Sequence, residues 1–115
     1  MLRRDVFERV GGFDESLAGA QDRDLWIRLA AVCRFDAVPD PLVRRYLHGE
    51  QITCSLPAKI RAKQQLLAKH AAALRAHPRH RAHHLWRLGI LQCVAGEIGA
   101  GRRALLAAIC AAPVR

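Results

Sequence analysis

From Leu56 to Ala112 apolar residues recur at helical spacing, and this long run of a single period most limits the folds open to the chain. Pro57 suits the first turn of a helix. Ile60, Gln64, Leu67, Ala71 and Leu74 then follow at intervals of four, three, four and three, a stripe interrupted only by Gln64. The spacing predicts one helix over 56–76, broken by Pro78. A further helix is expected from about Arg79 to Ala95, then a turn over 96–101, then a last helix to about Ala112, before Pro113. Scarce aromatics, 5% of 115 residues, and abundant alanine and leucine agree with helix over an all-strand sandwich. This length makes one modest domain, or a piece of a larger one.

Residues 1–55 read differently. A short helix is expected over 3–10, with Val6, Phe7 and Val10 apolar and Gly11-Gly12 ending it. A polar turn, Phe13-Asp14-Glu15-Ser16, follows, and a second helix should start near Gln21 or Asp22. Leu25, Trp26, Leu29, Ala30 and Cys33 would form its apolar stripe, with Trp26 in the core and Asp24 the cap. After Arg34 the period changes. Phe35, Ala37 and Val38 suggest a short strand stopped by Pro39-Asp40-Pro41, and 42–47 suggests a second strand, with His48-Gly49-Glu50 as the loop after it. A boundary is expected near 50–57.

Charge divides the chain at the same place. Residues 1–50 carry eight Arg against nine Asp and Glu, a net of −1, whereas 51–115 carry eleven Lys and Arg against Glu97 alone, a net of +10. Such a basic stretch suits an anionic membrane surface, a phosphorylated substrate or nucleic acid, or is simply a solvated helical face. His77, His80, His83 and His84 include i, i+3 and i+4 pairs, but with no carboxylate nearby they read as part of that face. Cys33, Cys54, Cys93 and Cys110 have no metal-binding spacing and read as small buried hydrophobes in a reducing compartment. No secretory leader is legible after Met1, and the apolar run 104–114 is too short to cross a bilayer. The expectation is a cytoplasmic chain, peripheral at most at the inner face of a membrane.

The informative text is Arg4-Asp5-Val6-Phe7-Glu8-Arg9-Val10-Gly11-Gly12-Phe13-Asp14-Glu15, then Gln21-Asp22-Arg23-Asp24-Leu25-Trp26-Ile27-Arg28-Leu29. It resembles the acceptor-side segment of family 2 glycosyltransferases, in which a GGFDE turn precedes an E/Q-D-x-D-L-W-x-R helix start. The resemblance covers about residues 1–55 and extends only loosely beyond. It implies an α/β fragment of a GT-A glycosyltransferase domain over 1–55, followed by a basic α-helical tail over 56–115. The implied reaction is inverting transfer of a hexosyl group from a nucleotide sugar to a saccharide or lipid-linked acceptor, in cell-envelope polysaccharide synthesis.

An acceptor hydroxyl is a weak nucleophile at neutral pH, so a carboxylate within hydrogen-bond reach must take its proton in the transition state. The resemblance gives Asp22 this general-base role; taken by itself, a carboxylate at a helix start is an N-cap. Gly12, Phe13 and Asp14 would shape the acceptor wall, or form only a structural turn. The resemblance makes Arg44 and Arg45 candidates for diphosphate contacts and places His48 near the metal and diphosphate; a lone surface histidine is the alternative. The divalent metal, Mg or Mn, belongs to the complete enzyme and is not expected for this chain alone. An Asp-x-Asp metal motif and a phosphate loop are expected on a donor-binding half, which is not recognisable here. The rival is a small basic helical module that binds nucleic acid or a protein partner through 56–115. Within that tail, Leu88, Gly89, Gly96, Ala108 and Pro113 fall at the spacing of a tetratricopeptide helix hairpin, which cannot bury its own face and should pack on the helix over 56–76.

Overall fold

The computed structural model describes residues 2–44, 46 and 55–112. They form α1 (Arg4–Val10), α2 (Gln21–Ala30), α3 (Leu56–Lys69), α4 (Ala71–Ala76), α5 (Pro78–Val94) and α6 (Ile98–Ala111). There is no strand among the described residues, so the expected α/β fragment is replaced by an all-helical arrangement. The physical reason lies in the segment itself. Phe35, Val38, Leu42 and Val43 are exposed, Val43 at 87%, with no neighbouring strand to cover an apolar face or take up backbone bonds. Pro39 and Pro41 also lack the amide donor that a ladder requires. Arg45, Leu47 and the loop over 48–50 lie outside the described residues.

Two apolar clusters organise the helices. In the first, Val6 of α1 meets Leu25 and Leu29 of α2, with Phe7, Val10 and Cys33 around them. α1 closes with a Schellman-type pair of bonds, from the Gly11 amide to Glu8 O (3.2 Å) and from the Gly12 amide to Phe7 O (3.3 Å). Both glycines have positive φ, 85° and 68°, which allows the reversal without a Cβ penalty. In the second cluster Ile60 of α3, Leu88 of α5 and Ala104 of α6 pack together, flanked by Leu56, Leu67 and Leu91. The hairpin therefore lies on α3, as its unburied face requires.

The hairpin is tight because two glycines meet. A Cβ on Gly89 would stand 2.9 Å from Gly101 O, and one on Gly101 would stand 2.8 Å from Gly89 O and collide with Cys93 Sγ. Gly101 is therefore helical rather than part of a turn, and the connection between α5 and α6 shortens to residues 95–97. The helix expected over 56–76 divides at His70, whose φ of −102° and ψ of 24° interrupt it. Its buried side also differs from the expected stripe: Ile60, Lys63, Leu66, His70 and Leu74 turn inward, whereas Gln64 is exposed. Leu66 is fully buried, and truncating such a leucine to alanine typically costs about 2–5 kcal/mol. No described helix is long and apolar enough to cross a membrane.

Candidate functional site

The turn after α1 and the start of α2 are tied together by one arginine. Arg28 donates to Val10 O and to Gly12 O (2.6 Å), so its guanidinium holds the glycine turn against α2. The same group is oriented from behind by Asp24, with Nε to Oδ2 at 2.9 Å and Nη2 to Oδ2 at 2.8 Å, an i, i+4 pair on one helix face. Asp24 is 0% exposed, and its other oxygen faces His70 Nε2 at 2.7 Å and Lys69 Nζ at 2.9 Å. Lys69 also pairs with Asp14. One buried carboxylate thus joins the α1–α2 turn, α2 and the α3–α4 junction. Burial pushes the Asp24 carboxyl up, but bonds from Lys69, His70 and Arg28 outweigh it and hold it below its ordinary value.

This corrects the expected role of Asp24 as a helix cap. No side chain caps α2; its N-cap is Ala20, a non-glycine residue at φ 61°, and Gln21 reaches back to Leu17 O (3.1 Å). Asp24 is the fourth residue of the helix, at the end of its first turn, and its carboxylate points into the protein. The stripe expected on α2 is corrected too. Trp26 is 56% exposed, and Asp24 lies on the buried side with Leu25 and Leu29. Lys69 and His70, both essential to the network, escaped sequence reasoning. The only available signal was the opposite-charge spacing of Asp24 and Arg28.

Asp22 is placed otherwise. It lies in the first turn of α2, is exposed, and makes no hydrogen bond or ion pair among the described residues. With Phe13, Glu15 and Gln21 it lines an open concavity of about 440 Å³. Phe13 is half-exposed there, its ring edge-on to Phe7 at 5.9 Å. Gly12 backs the wall: a Cβ at its position would touch the Phe7 ring at 3.4 Å. Asp14 lies behind the turn. Its Oδ1 accepts from the Ser16 amide (3.0 Å) and hydroxyl (2.6 Å), and Lys69 holds its carboxyl well below the usual carboxylate range. Asp14 is therefore committed to shaping the turn.

The structure brings Gly12, Phe13, Asp14 and Asp22 together and leaves Arg44 apart. Arg44 is exposed on the irregular segment, and no bond among the described residues joins it to α2. Arg45 and His48 lie outside the described residues. No group of three or more His, Cys, Asp or Glu side chains suited to a metal stands among the described residues. The described cysteines are unpaired and none is fully buried as expected: Cys33 and Cys93 are partly buried and Cys110 is exposed. No protein-family model, curated protein or solved structure matches the chain.

Proposed function

We propose that this chain forms the acceptor side of a sugar-transferring enzyme, in which Asp22 is the general base. The observation that carries the reading is the contrast between two carboxylates two residues apart. Asp24 is consumed by three basic partners, whereas Asp22 is uncommitted and opens into a concavity beside an exposed aromatic ring. An aromatic face with Glu15 and Asp22 around it suits a saccharide, which offers apolar C–H faces and hydroxyl donors. The reading also rests on the two ordered motifs, 11–15 and 21–28, and does not depend on a sheet.

In the proposed step the acceptor oxygen bonds to the anomeric carbon of a nucleotide sugar from the face opposite the nucleotide. The bond from that carbon to the nucleotide's phosphate oxygen breaks, and the nucleoside diphosphate leaves with the electron pair. The hydroxyl proton passes to Asp22 and the anomeric configuration inverts. Arg28, buttressed by Asp24, keeps the Gly12–Phe13 wall in place while the acceptor binds. Donor binding and any metal belong to residues outside those described. In this reading the chain works in the cytoplasm, at the inner face of a membrane when the acceptor is lipid-linked.

Titration of the isotope-labelled chain with oligosaccharides, followed by amide NMR, tests the acceptor site. The expected result is saturable shifts at Phe13, Glu15, Gln21 and Asp22, lost in Phe13→Ala. Shifts confined to α5 and α6, and seen only with DNA, would favour the rival reading as a basic binding module.

A further inference from the structure

The hairpin of α5 and α6 leaves two apolar rows uncovered. On α5, Trp86, Ile90 and Val94 recur every fourth residue, and all three are exposed, Val94 at 70%. On α6, Ile98, Leu106 and Ile109 fall at intervals of eight and three, again on one helix face, and are likewise exposed. Their neighbours fix where the rows lie. Leu88 and Leu91 of α5 and Ala104 of α6 turn into the cluster with Ile60 of α3, while Gly89 and Gly101 face each other across the hairpin. Both rows therefore stand on the flank of the hairpin turned away from α3.

Cations accompany the rows. Arg79 lies on the same face of α5, seven residues before Trp86, and Arg102 sits within the α6 row, four residues from both Ile98 and Leu106. Arg87 borders Trp86, whose ring lies beside the His83 imidazole with centroids 6.2 Å apart. None of the three arginines makes an ion pair among the described residues. Glu97 is the only acidic residue from 51 to 115, and it accepts from Gln92. Apolar rows of this extent on a surface call for a covering. A second copy would set the arginines of one face against those of the other, with no carboxylate between them. Nucleic acid would meet the arginines but offer Ile90 and Val94 no apolar phase. An anionic bilayer supplies both parts: acyl chains for the rows and lipid phosphates for the guanidinium groups, with the tryptophan at the boundary.

We propose that the flank of the α5–α6 hairpin turned away from α3 is a docking surface for an anionic lipid bilayer. Trp86, Ile90 and Val94 enter the boundary between headgroups and acyl chains together with the α6 row, and Arg79, Arg87 and Arg102 meet the phosphates. The hairpin lies on the bilayer, since no described helix is long and apolar enough to cross it. The surface shares no residue with the Asp22 concavity and holds whether or not the chain transfers sugar.

Flotation of the full chain with vesicles of phosphatidylglycerol in phosphatidylcholine, and of phosphatidylcholine alone, tests the surface. Binding should need the anionic lipid and weaken with salt. It should fall about tenfold or more in the double variant Ile90→Ser and Val94→Ser, which leaves the net charge unchanged. The double variant Arg79→Gln and Arg102→Gln should lose about as much. In Trp26→Phe, where Trp86 is the remaining tryptophan, emission should shift to the blue on binding and be quenched by brominated acyl chains. All the substituted side chains are exposed, and Trp26→Phe leaves this face intact, so its emission reports even if another variant fails to fold. Binding indifferent to the serine pair, with no shift in Trp86 emission, overturns the proposal. So does equal binding to both vesicle types, absence of binding to either, self-association that the serine pair abolishes, or binding to DNA without binding to vesicles.

Discussion

Replacing Asp24 by asparagine separates a helix cap from a buried charge hub by magnitude alone. Asparagine is nearly the same shape and caps helices about as well as aspartate, so loss of a cap would change stability by at most about 1 kcal/mol. In this structure Asp24 Oδ1 meets Lys69 and His70, while Oδ2 takes Arg28. The amide has one oxygen and one NH₂, so whichever way it turns, donors face donors on one side. Arg28 and Lys69, both partly exposed, also lose their buried counter-charge. Breaking a buried pair in this way typically costs about 3–5 kcal/mol. For a small domain with about 5–15 kcal/mol in total, that lowers Tm by roughly 10–20 °C or more. Urea denaturation followed by circular dichroism would measure it. The sign with pH follows from the same contacts. The folded carboxyl titrates below its ordinary value of 3.8, so its stabilisation is full above that pH and is lost as pH falls through the folded value. The parent should therefore lose stability on that acid limb more steeply than Asp24→Asn. A variant within about 1 kcal/mol of the parent, with an unchanged acid limb, would refute the hub.

Two further substitutions test the backbone. Ala20 occupies the left-handed region at φ 61°, so Ala20→Gly should raise stability by about 0.5–1 kcal/mol, read as a higher urea midpoint. Gly101→Ala would drive a methyl group into Gly89 O and Cys93 Sγ, and should cost about 1–3 kcal/mol in the same assay.

How far the sequence disclosed this arrangement depended on whether a local rule sufficed. α1 ends at Gly11 because only a local left-handed reversal is needed, and the pair Gly11-Gly12 announces it. Pro57 marks the start of α3 and Pro78 that of α5 for similarly local reasons. The apolar alternation over 35–43 misled because a strand exists only through a neighbour, and no described residue provides one. Gly99 and Gly101 resembled turn residues, yet Gly101 marks the helix crossing, where the absence of Cβ serves packing and not φ. The inward face of α3 was hidden because Lys63 and His70, both polar, lie on it and outside the expected stripe.

At the candidate site, Phe13, Asp14 and Asp22 were legible because their motifs are contiguous in the chain. The partners that decide their roles were not. Asp24 beside Asp22 had the same credentials as a helix-start carboxylate until Lys69 and His70, more than forty residues away in sequence, were placed against it. Chemical identity was readable; commitment to a partner required the fold.

The most direct test of Asp22 as the base is the transfer rate of an Asp22→Asn variant, measured with the chain joined to a family 2 donor-binding half. The substitution keeps shape and removes the proton acceptor. Transfer should fall roughly 10²–10⁴-fold, while nucleotide-sugar affinity stays unchanged and the urea midpoint stays near the parent's, since Asp22 holds nothing in place. Transfer at close to the parental rate by Asp22→Asn would contradict the assignment.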